Sequence, residues 1–123
     1  MTLSSTVSVS LGERSYKILI QAGLLSRLKG RLSELAVKGK VGVVTDRHVA
    51  RYYLSGMLRQ LKKFGVDAVP IVLPPGERSK KLDTITHILD VMARHRFERS
   101  SSLFALGGGV VGDITGFAAA IYQ

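Results

Sequence analysis

Three short apolar runs constrain this chain most strongly. Val41 to Thr45 is a β-branched run, and Ala68 to Leu73 and Ser102 to Leu106 are similarly short and apolar. Each is followed by a stretch in which apolar residues recur at helical spacing. A run that is apolar at both odd and even positions suits a strand buried on both faces, as in a parallel sheet. Alternation of such strands with helical segments argues against an all-helical or an all-β architecture.

The helical stretches have readable punctuation. Leu24, Leu25, Leu28, Leu32 and Leu35 predict a first helix, with Gly39 near its stop. Asp46 can N-cap a second helix running through Val49, Tyr53, Met57, Leu58 and Leu61. Lys62 and Lys63 suit its negative end, and Gly65 suits a left-handed cap. Pro74, Pro75 and Gly76 stop the second strand, and Lys80 to Arg94 predicts a third helix. After the third strand, Asp113 is expected to begin the last helix. Ahead of all this, Val7, Val9 and Leu11 alternate with serines, and Tyr16, Ile18 and Ile20 alternate with Lys17, Leu19 and Gln21. That is a hairpin pattern with period two. The predicted fold class is α/β: a Rossmann-like parallel sheet with flanking helices, preceded by an N-terminal β-hairpin. Its crossovers should be right-handed, and a ligand should lie beyond the carboxyl ends of the strands.

With 123 residues the chain reads as one domain, 1–123, and 46% hydrophobic content excludes a disordered chain. No apolar run approaches a membrane span, and Met1 to Ser10 lacks a signal-peptide core. Cysteine is absent, so disulfides and thiolate metal sites are excluded. The cytoplasm is the simplest expected location. The net charge of +9 is spread along the chain, with no dense basic block and no tryptophan. Neither a nucleic-acid nor a membrane partner is expected, although a basic chain can serve anionic small ligands.

Three loops leave the predicted carboxyl ends: Asp46 to His48, Pro74 to Lys80, and Gly107 to Asp113. In the last, Gly107, Gly109 and Gly112 satisfy G-x-G-x-x-G between a predicted strand and a predicted helix. Glycines let backbone approach a ligand closely, and a helix start offers N–H groups to a pyrophosphate. The loop is a candidate dinucleotide site. It could instead be a turn that packs a helix tightly on a sheet. Asp46 can bind ribose hydroxyls, cap a helix, or do both. Glu77 and Lys80, beside Gly76, can meet ribose and phosphate, or form an exposed charged loop. Asp113 can orient a cofactor amide or sit at a helix start without a ligand. His48 is a weaker ligand candidate, and His87 and His95 lack a metal-binding partner at helical spacing. No H-E-x-x-H or Ser-His-Asp pattern appears, so no catalytic or metal-ligating residue is assigned within the chain.

Leu-Gly-Glu-Arg-Ser-Tyr (11–16), Val-Val-Thr-Asp (43–46), Leu-Pro-Pro-Gly-Glu-Arg-Ser-Lys (73–80) and Ala-Leu-Gly-Gly-Gly-Val-Val-Gly-Asp-Ile-Thr-Gly-Phe-Ala-Ala-Ala-Ile-Tyr-Gln (105–123) resemble the 3-dehydroquinate synthase family. The resemblance spans essentially the whole chain. It implies a truncated N-terminal NAD-binding domain, with the C-terminal metal and substrate domain absent. The family converts 3-deoxy-D-arabino-heptulosonate 7-phosphate to 3-dehydroquinate and phosphate, a shikimate-pathway step toward aromatic amino acids. It uses NAD catalytically and a divalent zinc or cobalt ion, and full-length members are expected as homodimers. Carried over by motif, Asp46 and His48 would lie near the adenosine ribose. Glu77 and Lys80 would serve the adenosine side. Gly108, Gly109 and Val110 would line the pyrophosphate, Asp113 would face the nicotinamide half, and Gly76, Val111 and Gly112 are expected among the cofactor-binding residues. A sister sugar-phosphate cyclase and a non-catalytic nucleotide-binding module are the alternative readings. The fragment alone is expected to be inactive.

Overall fold

A computed structural model describes residues 4–32, 37, 39–74 and 82–123. In chain order the elements are β1 (Ser4–Val9), β2 (Tyr16–Gln21), α1 (Leu28–Leu32), β3 (Val41–Asp46) and α2 (Arg47–Val49). They continue with α3 (Ser55–Lys63), β4 (Ala68–Leu73), α4 (Leu82–Arg94), β5 (Ser102–Leu106) and α5 (Gly109–Ile121).

β3 is the centre of a parallel sheet of order β4-β3-β5. Its burial explains its composition: Val41, Val43, Val44 and Thr45 are all fully buried. Odd and even positions of a strand point to opposite faces. Val41 and Val43 therefore meet Met57 and Leu61 of α3 and Leu32 of α1 on one side. Val44 meets Ile85, Ile88 and Met92 of α4 and Val111, Ile114 and Ala118 of α5 on the other. Gly42 is required by contact, because a Cβ there would lie 2.8 Å from Leu103 Cδ2 and 3.2 Å from the Phe97 ring. The predicted α/β class and the hairpin are both borne out.

The hairpin pairs Val7 with Ile18 and Val9 with Tyr16, so its apolar side chains share one face. Gly12, at φ +66°, opens the turn. The Ser15 hydroxyl closes it, accepting from the Leu11 N–H at 2.8 Å and donating to the Gly12 carbonyl at 2.7 Å. Val7, Tyr16, Ile18 and Ile20 remain exposed.

Helix boundaries depart from the pattern at two places. The stretch expected as one helix from Leu24 to Leu35 begins as a 3-10 turn, Leu25–Arg27, before α1. Here the Gln60 side chain of α3 accepts from the Leu28 N–H at 2.8 Å and donates to the Leu25 carbonyl, taking groups a continuous helix would use itself. Residues 33–36 lie outside the described residues. The second departure is α5, which starts at Gly109, not at Asp113. Gly107 turns the chain out of β5 at φ +152°, Gly108 is the N-cap, and Gly112 N–H reaches the Gly108 carbonyl at 3.1 Å. Burial of Val111 outweighs the poor helix propensity of a Gly-Val-Val-Gly run. The second helix runs as expected from the Asp46 cap to Gly65, but passes through a π-helical turn at Ala50–Leu54. No helix among the described residues is long and apolar enough to cross a membrane.

Candidate functional site

The three parallel strands end level with one another, since Asp46 pairs with Leu73 and Thr45 with Leu106. From that common edge the chain leaves in opposite directions. β3 leads into α2 and α3, whose Met57 and Leu61 pack with Val41 and Val43. β5 leads into α5, whose Val111, Ile114 and Ala118 pack on the other face. Adjacent parallel strands whose connections diverge in this way open a crevice at their carboxyl ends, the place where open α/β sheets take ligands.

One wall of the crevice is the Gly107–Gly112 segment. Gly107 is structural: besides its backbone angle, a Cβ there would lie 3.1 Å from Val111 Cγ2. The others are different in kind. Among the described residues, a Cβ at Gly108, Gly109 or Gly112 would have nothing within 4 Å. The tight helix-on-sheet packing that the third glycine of such motifs often serves is therefore not the role of Gly112. Gly109, Val110 and Val111 are the first three residues of α5, the positions whose N–H groups have no intrahelical acceptor. Val111 can offer only backbone here, because its side chain is buried in the core. Together these N–H groups and the positive end of the helix make a surface chemically suited to an anion. Asp113 is exposed and lies beyond the first turn of α5, so it is not a cap; the cap is Gly108, with no side-chain hydrogen bond.

The other wall begins at Asp46. Its Oδ1 accepts from the Val49 N–H at 2.8 Å, which makes it a helix cap as expected. Among the described residues the second oxygen makes no hydrogen bond, so capping leaves an acceptor for a ligand. His48 is exposed in the same first turn. Gly76, Glu77 and Lys80 lie outside the described residues. Their segment leaves β4 at Leu73, level with Asp46. Among the described residues, no group of three or more His, Asp or Glu side chains is arranged to hold a metal ion.

Sequence reasoning missed Thr45. It is fully buried, and its hydroxyl donates to the Leu106 carbonyl at 2.7 Å, tying the end of β3 to the end of β5 beneath the crevice. The one signal was a hydroxyl in an otherwise apolar run. A separate concavity of about 600 Å³ lies between the segment after β2 and the helix of Tyr52, Tyr53, Arg59 and Lys63. It shares no residue with the crevice.

A family profile described as 3-dehydroquinate synthase N-terminal matches residues 70–123. The chain is 48% identical over 118 residues to a 3-dehydroquinate synthase of Rhodospirillum rubrum, covering 96% of this chain and 31% of that protein. A second, from Agrobacterium fabrum, is 43% identical over 117 residues, covering 95% of this chain and 31% of the relative. The chain thus spans about a third of the length of the curated relatives it matches. Among solved structures, a 2-deoxy-scyllo-inosose synthase complexed with carbaglucose-6-phosphate, NAD+ and Co2+ superposes with a TM-score of 0.81. It is 18% identical and covers 96% of this chain and 32% of that one, a likeness of fold alone. A 2-epi-5-epi-valiolone synthase from Streptomyces hygroscopicus with NAD+ and Zn2+ bound gives a TM-score of 0.75 at 29% identity, covering 93% of this chain and 31% of that one.

Proposed function

We propose that this chain, similar over nearly its whole length to about a third of 3-dehydroquinate synthases, is the NAD-binding domain of such an enzyme. The observation that carries the reading is the open space over Gly108, Gly109 and Gly112. Three glycines that no neighbour requires stand at a helix start, in the crevice where adjacent strands diverge. A fold-only explanation accounts for Gly107 and leaves these three without a role.

In this reading residues 1–123 form one nucleotide-binding domain. Backbone N–H groups of Gly109, Val110 and Val111 hold the pyrophosphate, and Gly108 and Gly112 keep the approach clear. The second Asp46 oxygen accepts from the adenosine ribose hydroxyls, with His48 alongside. Gly76, Glu77 and Lys80 complete the adenosine side, and Asp113 lies toward the nicotinamide. NAD held there would supply a reversible hydride acceptor. The residues of this chain bind and orient; they offer no acid, base or nucleophile set for the remaining chemistry. The substrate of the parent enzyme is 3-deoxy-D-arabino-heptulosonate 7-phosphate, and its zinc or cobalt ion is held outside residues 1–123. The parent enzyme is a homodimer.

A sister sugar-phosphate cyclase is the second reading, favoured by the solved neighbours. The identities argue for the first: 48% and 43% to the two synthases, against 18% and 29% to the two cyclases. A footprint tests the site itself. On addition of NAD, amide resonances of Asp46–His48 and Gly107–Asp113 should shift. Shifts confined to Tyr52, Tyr53 and Arg59 would place the ligand in the other concavity and overturn the assignment.

A further inference from the structure

We infer that Thr45 is the positioning residue of the crevice: its hydroxyl holds the Leu106 carbonyl, and through that peptide sets the Gly107–Gly109 turn in its ligand-ready orientation. The functional half of this inference rests on the proposed NAD site.

A fully buried hydroxyl is unfavourable unless it is bonded, and valine would fill the same space without that demand. β3 uses valine at Val41, Val43 and Val44, then changes to threonine at the last fully buried position. The other buried threonine, Thr115, donates at 2.7 Å to the Val111 carbonyl within its own helix, a local bond that joins no two elements. Thr45 reaches a different strand, and it does so where pairing ends: Thr45 opposite Leu106 is the final β3–β5 pair. Asp46, the last residue of β3, has its Cα partner in β4 and none in β5.

The Leu106 carbonyl belongs to the peptide that carries the Gly107 nitrogen. Fixing that oxygen fixes the plane from which Gly107 departs at φ +152°. The turn is held from both sides of the sheet. Thr45 shares the parity of Val41 and Val43, which face α3, whereas Val111 crowds Gly107 from the α5 side. Between these two restraints, Gly108 and the first N–H groups of α5 take a defined direction with no ligand present. Pre-organisation of this kind strengthens binding by removing the ordering that binding would otherwise require.

Wild type, Thr45→Val and Thr45→Ser should be compared by amide hydrogen exchange without ligand and by calorimetric titration with NAD. Thr45→Val keeps the shape and removes the donor; Thr45→Ser keeps the donor. With one hydrogen bond at stake, Thr45→Val should speed exchange at Gly108–Gly112 and raise the NAD dissociation constant, each about tenfold. Val43 should stay as protected as in the wild type, and Thr45→Ser should restore both properties. Unchanged exchange at Gly108–Gly112, or acceleration by one common factor through the whole sheet, would overturn the restraint. A loosened turn with unchanged NAD affinity would overturn its positioning role. A folded wild type that binds no NAD would sink the proposed function instead, and the exchange data would still decide whether Thr45 holds the turn. If Thr45→Val does not fold, Thr45→Cys, similar in shape with only a weak donor, takes its place.

Discussion

Between β5 and α5, Gly107 answers to the fold and its neighbours answer to open space. The distinction can be measured. Gly107→Ala must hold a side chain at φ +152° against Val111, and should lose about 1–3 kcal/mol of stability. Gly112→Ala places a methyl in empty space inside a helix, and should gain about 0.5–1 kcal/mol while weakening NAD binding. Urea denaturation beside NAD titration reads both. A Gly112→Ala protein that is less stable than wild type would return this glycine to a packing role. The glycine cluster was legible in the sequence, but the division of labour within it was not, because neither a backbone angle nor the emptiness above a Cα is written in residue identity. Asp46 shows the same limit. Its two candidate roles stayed open in the sequence, and the structure shows that one oxygen caps the helix. Gly76, Glu77 and Lys80 rest on motif alone.

At the scale of elements, strands were the most legible part. Ala68–Leu73 and Ser102–Leu106 match the pattern, and β3 extends it by one residue to Asp46. Burial on both faces imposes the unbroken apolar run of β3, whereas β4 and β5, at the edges of the sheet, keep an apolar composition while only partly buried. Helix starts were less legible. Propensity reads Gly-Val-Val-Gly as loop, and only the packing of Val111 and Ile114 against the sheet shows that α5 has already begun. The π-helical turn at Ala50–Leu54 leaves no mark in the apolar spacing. The tightest packing around any described glycine falls on a residue that patterning passes over: Gly42, the second residue of the central strand. Gly42→Ala should destabilise the domain by about 1–3 kcal/mol, since the Phe97 ring is buried and cannot move aside as Leu103 Cδ2 can. Thermal unfolding checks this, and an unchanged midpoint would show that β3 and the Phe97 segment part enough to accept a methyl group.

For the whole molecule, alternation gave the architecture and the divergence of β3 and β5 gives the place of the site. Apolar periodicity says which face of an element seeks cover and is silent on what covers it. Val7, Tyr16, Ile18 and Ile20 on the hairpin, and Phe117 and Ile121 on α5, are apolar and exposed. The NAD site proposed for the crevice depends on an unobstructed helix start. The most direct test is calorimetric titration of NAD into the wild-type chain and into Gly109→Val, with folding of both checked by circular dichroism. Saturable binding at one site is expected in the wild type, and its loss in a folded Gly109→Val protein. A folded wild type that binds no NAD, or a Gly109→Val protein that binds it equally well, would contradict the proposed site.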